Sequence, residues 1–262
     1  MSSLDFERKH AEDLQRLSAL RLLDDDFMNK VFEDKACAEF ILQRIDLKVA
    51  QVHVQHEVKN LQGRSARLDI LAVDEENRVY NIEIQRDDRG ASVKRARYNS
   101  SLIDANITEP GEQYENLNET YVIFITEHDV LKGGRPIYCI ERTVQETGES
   151  FGDGTHILYV NAQMKDDTAL GHLMHDFACT SADEMHYQIL ADRVRYFKED
   201  KEGVATMCKI MEDMKNEAAK RNSIETARVL LAMGKLSYEE IAQSVRLLTV
   251  DEVKALDEGK PA

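Results

Sequence analysis

The chain has 262 residues, of which 42% are hydrophobic and 32% are charged, and this composition excludes a protein that is disordered throughout. The formal net charge of −15 argues against a protein that grips a phosphate backbone through its overall charge. The charge is uneven, however. Residues 61–110 hold eight basic and nine acidic residues, a net −1, whereas residues 111–262 hold 17 basic and 28 acidic residues, a net −11.

Neither a membrane span nor a disulfide framework is visible in the sequence. No apolar run approaches the roughly 20 residues that cross a bilayer, and the N-terminus, MSSLDFERKHAEDLQ, is charged, so we expect a cytoplasmic protein that does not enter a membrane. The four cysteines are far apart and show no Cys/His pairing at zinc-finger spacing. Buried free thiols are therefore expected, rather than disulfides or structural zinc.

The chain begins with helical patterns and then changes to strands. Leucines recur every third residue from position 14 to 23, and Asp24-Asp25-Asp26 opens a second helical stretch that reaches Ile45. From Val49 the period changes to two, in three runs separated by the turn signals LQG and DEEN. These runs, 49–60, 64–74 and 78–85, predict a three-stranded antiparallel meander.

The pattern after the meander predicts an α/β domain followed by helices. Residues 92–107 read as a helix, and residues 118–127 as a strand buried on both faces. Two more strand candidates lie in 133–144 and 156–163, and residues 167–234 are almost wholly helical in pattern. The core order is αβββαβ with a mixed central sheet. We expect one domain over residues 1–165 and a helical C-terminal region over 166–262.

Two capping boxes end the chain. Ser237 with Glu240, and Thr249 with Glu252, each precede a short apolar helical run. The spacing admits a helix-turn-helix, yet Arg246-Leu247 stands where a glycine turn is usual and the region is acidic. Tandem short helices are the expectation, with DNA recognition by them the lesser alternative.

Two carboxylates and an amide are predicted to meet in the second hairpin of the meander. Asp69 lies in one strand, and Glu83 and Gln85 lie in the next, on the same face because side chains alternate along a strand. Hard cations such as Mg²⁺ take oxygen ligands and activate water for phosphodiester hydrolysis. The competing interpretation is a pair of solvated strand carboxylates, which is commonplace on exposed faces.

At these residues the sequence resembles a known family. Asp69, thirteen residues, then Glu83-Ile84-Gln85 is similar to the D…ExQ form of the PD-(D/E)XK nuclease fold, in particular the Rpn family of recombination-promoting nucleases, also described as transposases. The resemblance covers roughly residues 20–200. Its recurrent phrases stand at 24–34, 81–104, 121–143 and 151–161.

The resemblance implies a fold, an activity and a set of site residues. It implies a restriction-endonuclease-like core and hydrolysis of DNA with Mg²⁺, for which Mn²⁺ substitutes. Asp69 and Glu83 would be the metal ligands, joined by Asp26, for which a helix N-cap is the alternative role. Gln85 would stand where much of the wider fold carries lysine, and a neutral amide can only hydrogen-bond.

Basic residues near the site would supply the positive charge that Gln85 lacks. Lys94, Arg95 and Arg97, with Tyr98, are the candidates for contact with DNA phosphate, and a solvated basic helix face with a packed tyrosine is the alternative. Cleavage of both strands by a subunit with one site calls for two copies, so a homodimer is one expectation. A role in recombination or mobile elements follows only from the family name.

Other residues give weaker evidence of a function. His172 and His175 share a helical face but have no obvious carboxylate partner, so packed or solvent-facing rings are expected. The glycine pairs in GGRP and FGDGT lack the Lys-Ser/Thr of a P-loop, so no nucleotide cofactor is expected. The rival function is a non-catalytic interaction or regulatory module that keeps the nuclease fold, which the net −11 of residues 111–262 favours.

Overall fold

The structure is a computed structural model that describes residues 3–45, 47, 52–55, 70–86 and 90–259. The chain forms two compact units, residues 18–200 and residues 1–17 with 201–262. The helices of residues 166–200 therefore group with the sheet, and the domain boundary expected at 165/166 stays a prediction. Within the part of the chain that is described, no helix has the length and apolar character needed to cross a membrane.

Three helices precede the first strand in the described part of the chain: α1 (Ser3–Ala19), α2 (Asp25–Phe32) and α3 (Lys35–Arg44). The single helical stretch predicted from Asp24 to Ile45 is therefore wrong, because it is broken at Asp34. The Asp34 backbone is extended, and its side chain accepts hydrogen bonds from the backbone nitrogens of Ala36 and Cys37. This carboxylate caps a new helix instead of continuing the old one.

A six-stranded mixed sheet lies at the centre of the larger unit. Its strands are β1 (Val52–Gln55), β2 (Ile70–Asp74), β3 (Val79–Gln85), β4 (Thr120–Thr126), β5 (Ile137–Ile140) and β6 (Thr155–Asn161). Their order is β1-β2-β3-β4-β6-β5. The first three are antiparallel, as the meander predicted, whereas β3, β4 and β6 run parallel and β5 is antiparallel to β6. The α/β class and the mixed sheet are confirmed.

Helix α4 (Val93–Ile107) crosses over between the parallel strands β3 and β4 and packs against the sheet. Ser92 begins it, since its Oγ accepts from the Arg95 backbone nitrogen at 3.3 Å. Ala96, Leu102 and Ile103 of the helix share one apolar cluster with residues of the sheet. The predicted helix at 92–107 is confirmed, and its docking covers the face of β3 that carries Glu83.

Two further helices complete the larger unit: α5 (Ala169–Ala178) and α6 (Gln188–Glu199). Aromatic side chains join them to the N-terminal helices. Phe32 stacks on Phe177 with ring centroids 5.9 Å apart, and Phe27 meets Phe197 edge-on at 6.3 Å. Aromatic pairs of this kind stabilise a fold by about 0.5–1.5 kcal/mol more than the burial of their surface alone. Helix α2 is thus held in place by the helices that follow the sheet.

The smaller unit contains α7 (Lys201–Met233), α8 (Tyr238–Val245) and α9 (Val250–Asp257). Both predicted capping boxes are present, at Ser237 and Thr249. Arg246 takes the left-handed conformation, with φ 59°, at the position where a glycine is usual. An arginine there costs about 1–2 kcal/mol, offset by the apolar cluster that the three helices share. DNA recognition by α8 and α9 stays a prediction.

Candidate functional site

Glu83 is a fully buried carboxylate in the middle of the sheet. Its side chain has 0% exposure, and it lies on the face of β3 covered by α4. Its sequence neighbours Ile82 and Ile84 lie on the opposite face and are also fully buried. A buried carboxylate is costly unless it is paired and hydrogen-bonded. The surroundings of Glu83 therefore decide what this residue can do.

Arg95 of α4 supplies the countercharge. Its Nη2 donates to Oε2 of Glu83 at 2.5 Å, and its Nη1 donates to the carbonyl of Gly90 at 2.9 Å. The guanidinium also lies 5.8 Å from the ring centroid of Phe124 in β4. The Arg95 side chain is 33% exposed, so the guanidinium lies between the buried carboxylate and solvent.

Two asparagines extend the same network, and neither was predicted from the sequence. Nδ2 of Asn81 donates to Oε1 of Glu83 at 3.1 Å and to the Ile70 carbonyl at 3.3 Å. Asn99 of α4 donates in turn to Oδ1 of Asn81 at 3.2 Å. Both amides are buried. The available signal was spacing, since Asn81 lies two residues before Glu83 and Asn99 lies one helical turn after Arg95.

Of the three predicted catalytic residues, the structure describes Glu83 and Gln85 but not Asp69. Gln85 follows Glu83 on the same face of β3, partly exposed, and its side chain has no hydrogen bond to the described residues. Asp69 lies outside the described residues, so its place beside Glu83 stays a prediction. The first described residue after it in the chain, Ile70, begins β2 and pairs with Ile82, next to Glu83.

The predicted phosphate-binding residues separate into two groups. Arg95 turns inward to Glu83, whereas Lys94, Arg97 and Tyr98 are exposed on α4. Tyr98 is 37% exposed, so both its predicted phosphate contact and the alternative of a packed tyrosine stay predictions.

The third predicted metal ligand, Asp26, lies in α2. Its side chain is outside what the structure describes. The helix begins at Asp25 with Asp24 as the N-cap residue, so the alternative that Asp26 is itself the N-cap is wrong.

A second charge network lies next to the ends of β3 and β4. Arg86 follows Gln85, and its guanidinium contacts Asp24 Oδ1 at 2.7 Å and Glu127 Oε2 at 3.2 Å. Arg21 contacts the other oxygen of Glu127 at 2.9 Å, and its backbone nitrogen donates to Asp24 at 2.7 Å. The network ties the loop before α2 to the sheet. It thereby fixes the helix that carries Asp26.

The titration of Glu127 reflects this network. The hydrogen bond from Arg21, and after it the one from Arg86, hold the pKa of the Glu127 carboxyl below its usual value of 4.5. The same contact raises the pKa of Arg21. A carboxyl whose pKa is lowered by folding stabilises the folded state above its unfolded pKa and loses that contribution as pH falls through the folded pKa.

The donor set at Glu83 fits a hard divalent cation. The buried carboxylate already holds one cation, the Arg95 guanidinium, in direct contact. A hard cation would replace that guanidinium at a carboxylate oxygen of Glu83. Mg²⁺ needs only one or two carboxylates with waters and substrate oxygens. Glu83, with Asp69 as predicted, would provide them.

Two histidines have carboxylate partners that the sequence analysis did not foresee. Nε2 of His172 lies 2.9 Å from Asp167, and Nδ1 of His175 lies 3.5 Å from Asp176. Both rings are also partly exposed, as expected for solvent-facing histidines. Asp167 precedes α5, whereas Asp176 follows His175 directly within the helix.

Replacing Arg95 with methionine removes the guanidinium while it keeps an apolar stem against Phe124. We expect Arg95→Met to lower the free energy of unfolding by about 1–3 kcal/mol without metal, because Glu83 loses a buried partner. Millimolar Mg²⁺ should recover part of the loss, since another cation then faces Glu83. Urea unfolding with and without Mg²⁺ measures both effects. Arg97→Met, on the exposed side of α4, should change stability by less than about 0.5 kcal/mol. Equal stability of Arg95→Met and wild type would contradict the pairing.

Replacing Glu127 with glutamine tests the second network through pH. We expect Glu127→Gln to cost about 1–2 kcal/mol at pH 7, where the wild-type carboxylate is ionised and bonded to Arg21 and Arg86. The difference from wild type should shrink as pH falls from 4.5 through the lower pKa of the folded carboxyl, because Glu127 is then protonated in both the folded and the unfolded state. Urea midpoints of both proteins at several pH values measure this difference. A difference that does not depend on pH would contradict the assigned role.

Comparison with known proteins identifies a family for this chain. A family model described as PD-(D/E)XK nuclease family transposase matches residues 21–169, which contain the whole sheet, α4 and Glu83. The comparisons with curated proteins and with solved structures gave no match. The family model covers more than half of the chain, so the chain belongs to the PD-(D/E)XK nuclease family transposases.

Proposed function

We propose that this protein is a metal-dependent endonuclease that hydrolyses DNA phosphodiester bonds. The observation that carries the proposal is Glu83, a buried carboxylate in β3 that is oriented by Asn81 and paired with Arg95. A purely structural position would favour an apolar residue, because burying an ion pair costs as much as it returns. A charge kept at this depth is explained by a task in binding or chemistry.

The proposed metal site consists of Asp69 and Glu83, with Asp26 as a further ligand. A bound Mg²⁺ or Mn²⁺ would lower the pKa of the attacking water and offset the charge that develops on the phosphate. The chain's own residues do the positioning. Asn81 orients the carboxylate of Glu83 by donating to it, and Asn99 holds Asn81 in place by donating to its side-chain oxygen. Gln85, whose side chain has no described partner, orients the water by hydrogen bonding.

Arg95 has two roles in this proposal. Without metal it neutralises Glu83, and with metal its guanidinium is available to a phosphate oxygen, because it lies on the solvent side of the carboxylate. Lys94, Arg97 and Tyr98 lie on the exposed part of the same helix and contact the DNA backbone on either side. The substrate thus meets one basic helix, although the net charge of the protein is −15.

The rival function is a non-catalytic interaction module that retains the fold. Its support is the net charge of −11 over residues 111–262, which disfavours DNA and suits a protein partner. A homodimer suits both functions. For a nuclease it provides two sites for two strands. Recombination or the movement of mobile elements would be the setting of the nuclease activity, and cytoplasmic localisation is part of the same proposal.

Nicking of supercoiled plasmid at low salt tests the proposal. We expect the wild type to nick with Mg²⁺ or Mn²⁺, but not with Ca²⁺ or EDTA. The isosteric changes Asp69→Asn and Glu83→Gln should each lower the rate at least about 100-fold, because they remove a negatively charged ligand while they keep its shape. Glu75→Gln, at the exposed turn between β2 and β3, is the matched control and should retain full activity.

The outcomes of this experiment separate the two functions. Metal-dependent nicking that both site variants lose supports the nuclease. Nicking that persists in the purified Glu83→Gln protein would show that the activity does not come from this site. No nicking and no DNA binding in Ca²⁺ would leave the interaction module as the function.

Binding of DNA in Ca²⁺ tests the basic helix separately from cleavage. We expect Arg97→Ala to weaken binding and to reduce the slope of log K against log salt by about one, because one phosphate contact is lost. The control Lys209→Ala removes one exposed positive charge from α7 and should leave the slope unchanged. Equal effects of the two changes would indicate a response to overall charge instead of a contact by α4.

A further inference from the structure

A cluster of metal-binding side chains lies at the C-terminal end of α5, outside the site at Glu83. His175, Asp176 and Cys179 each offer one ligand atom, and all these atoms lie within 4.8 Å of one another. His175 and Cys179 are one helical turn apart, so their side chains share a face of the helix end. The His175-x-x-x-Cys179 spacing is present in the sequence but is not a zinc-finger spacing, so structural zinc was not predicted from it.

The distances within the cluster match the edges of a tetrahedral zinc site. Sγ of Cys179 lies 3.5 Å from Nδ1 of His175, and Nδ1 of His175 lies 3.5 Å from Oδ1 of Asp176. With Zn–S of about 2.3 Å and Zn–N of about 2.0–2.1 Å, a tetrahedral angle places sulfur and nitrogen about 3.5 Å apart. Two ligand atoms of this kind at this separation can bind one ion without a change of the helix.

Asp176 is already fixed in the orientation that a ligand needs. It is fully buried, and its two oxygens accept hydrogen bonds from the backbone nitrogens of His186 at 2.7 Å and Tyr187 at 2.9 Å. These donors hold the carboxylate plane and leave further lone pairs free. Asp176 also connects the end of α5 to the residues that begin α6.

Two other histidine rings lie near His175. The ring of His186 lies edge-on to that of His175, with centroids 4.7 Å apart, and it stacks on His172 at 4.2 Å. The side chain of His175 is 40% exposed, so an ion can enter from solvent. Imidazole and thiolate are ligands that zinc accepts and that Mg²⁺ does not favour.

We propose that His175, Asp176 and Cys179 form a zinc site, with a water at the fourth position. Binding displaces the thiol proton of Cys179 to solvent, and the resulting thiolate and the Asp176 carboxylate together neutralise the charge of Zn²⁺. Through Asp176, which accepts from the backbone nitrogens of His186 and Tyr187, the ion joins the end of α5 to the segment that leads into α6. It stabilises the helical layer beside the sheet and takes no part in hydrolysis at Glu83.

Metal analysis of the full-length, tag-free protein tests the site. Protein dialysed against zinc with excess Mg²⁺, and then freed of unbound metal, should retain about one zinc per chain. Replacement by Co²⁺ should give visible bands of tetrahedral strength and a sulfur-to-cobalt charge-transfer band, because a thiolate is bound. A zinc-selective chelator that leaves Mg²⁺ in place should lower the Tm.

Variants assign the ligands. Cys179→Ser should abolish the charge-transfer band, and His175→Ala should lower zinc affinity at least about 10-fold. Cys208→Ser and His128→Ala, which change the same residue types elsewhere, should retain full zinc content. Less than about 0.1 zinc per chain in the wild type, or a cobalt spectrum without a charge-transfer band, overturns the proposal. The wild-type spectrum decides the matter even if a variant fails to fold.

Discussion

The contact between Glu83 and Arg95 is the interaction on which the rest of this structure depends. A carboxylate buried in the middle of β3 is stabilised because α4 brings a guanidinium to 2.5 Å and Asn81 donates to its other oxygen. Both the apolar cluster and the pairing of Glu83 with Arg95 therefore require that α4 docks correctly on the sheet. Stability and the proposed chemistry depend on the same helix.

The surrounding network explains how an acidic protein can be arranged to act on DNA. The carboxylates near the ends of β3 and β4 do not all face substrate, because Asp24 and Glu127 are neutralised by Arg21 and Arg86. The exposed part of α4 remains basic. The charge around the site thus differs from the net charge of −15 of the whole protein. Because salt screens distant charges, a phosphate in contact with α4 interacts mainly with the charges near the site.

The sequence was sufficient for features that depend on local periodicity and insufficient for those that depend on docking. The alternation in β3 predicted that Glu83 and Gln85 share a face, and the helix at 92–107 followed from its pattern. The break at Asp34 was missed because a polar residue in a helical pattern looks like any surface position until its side chain is seen to cap. The contact of Arg21 with Glu127 joins residues 106 apart, and only the assembled fold brings them together.

The most direct test of the central claim is a crystal structure of the protein grown with Mn²⁺, read by the anomalous signal of the metal. The account predicts a peak about 2.0–2.3 Å from a carboxylate oxygen of Glu83, with the Arg95 guanidinium moved off that oxygen. A Glu83 carboxylate that still holds Arg95 at hydrogen-bond distance, with no metal peak beside it at saturating Mn²⁺, would contradict the claim that this buried acid is a metal ligand.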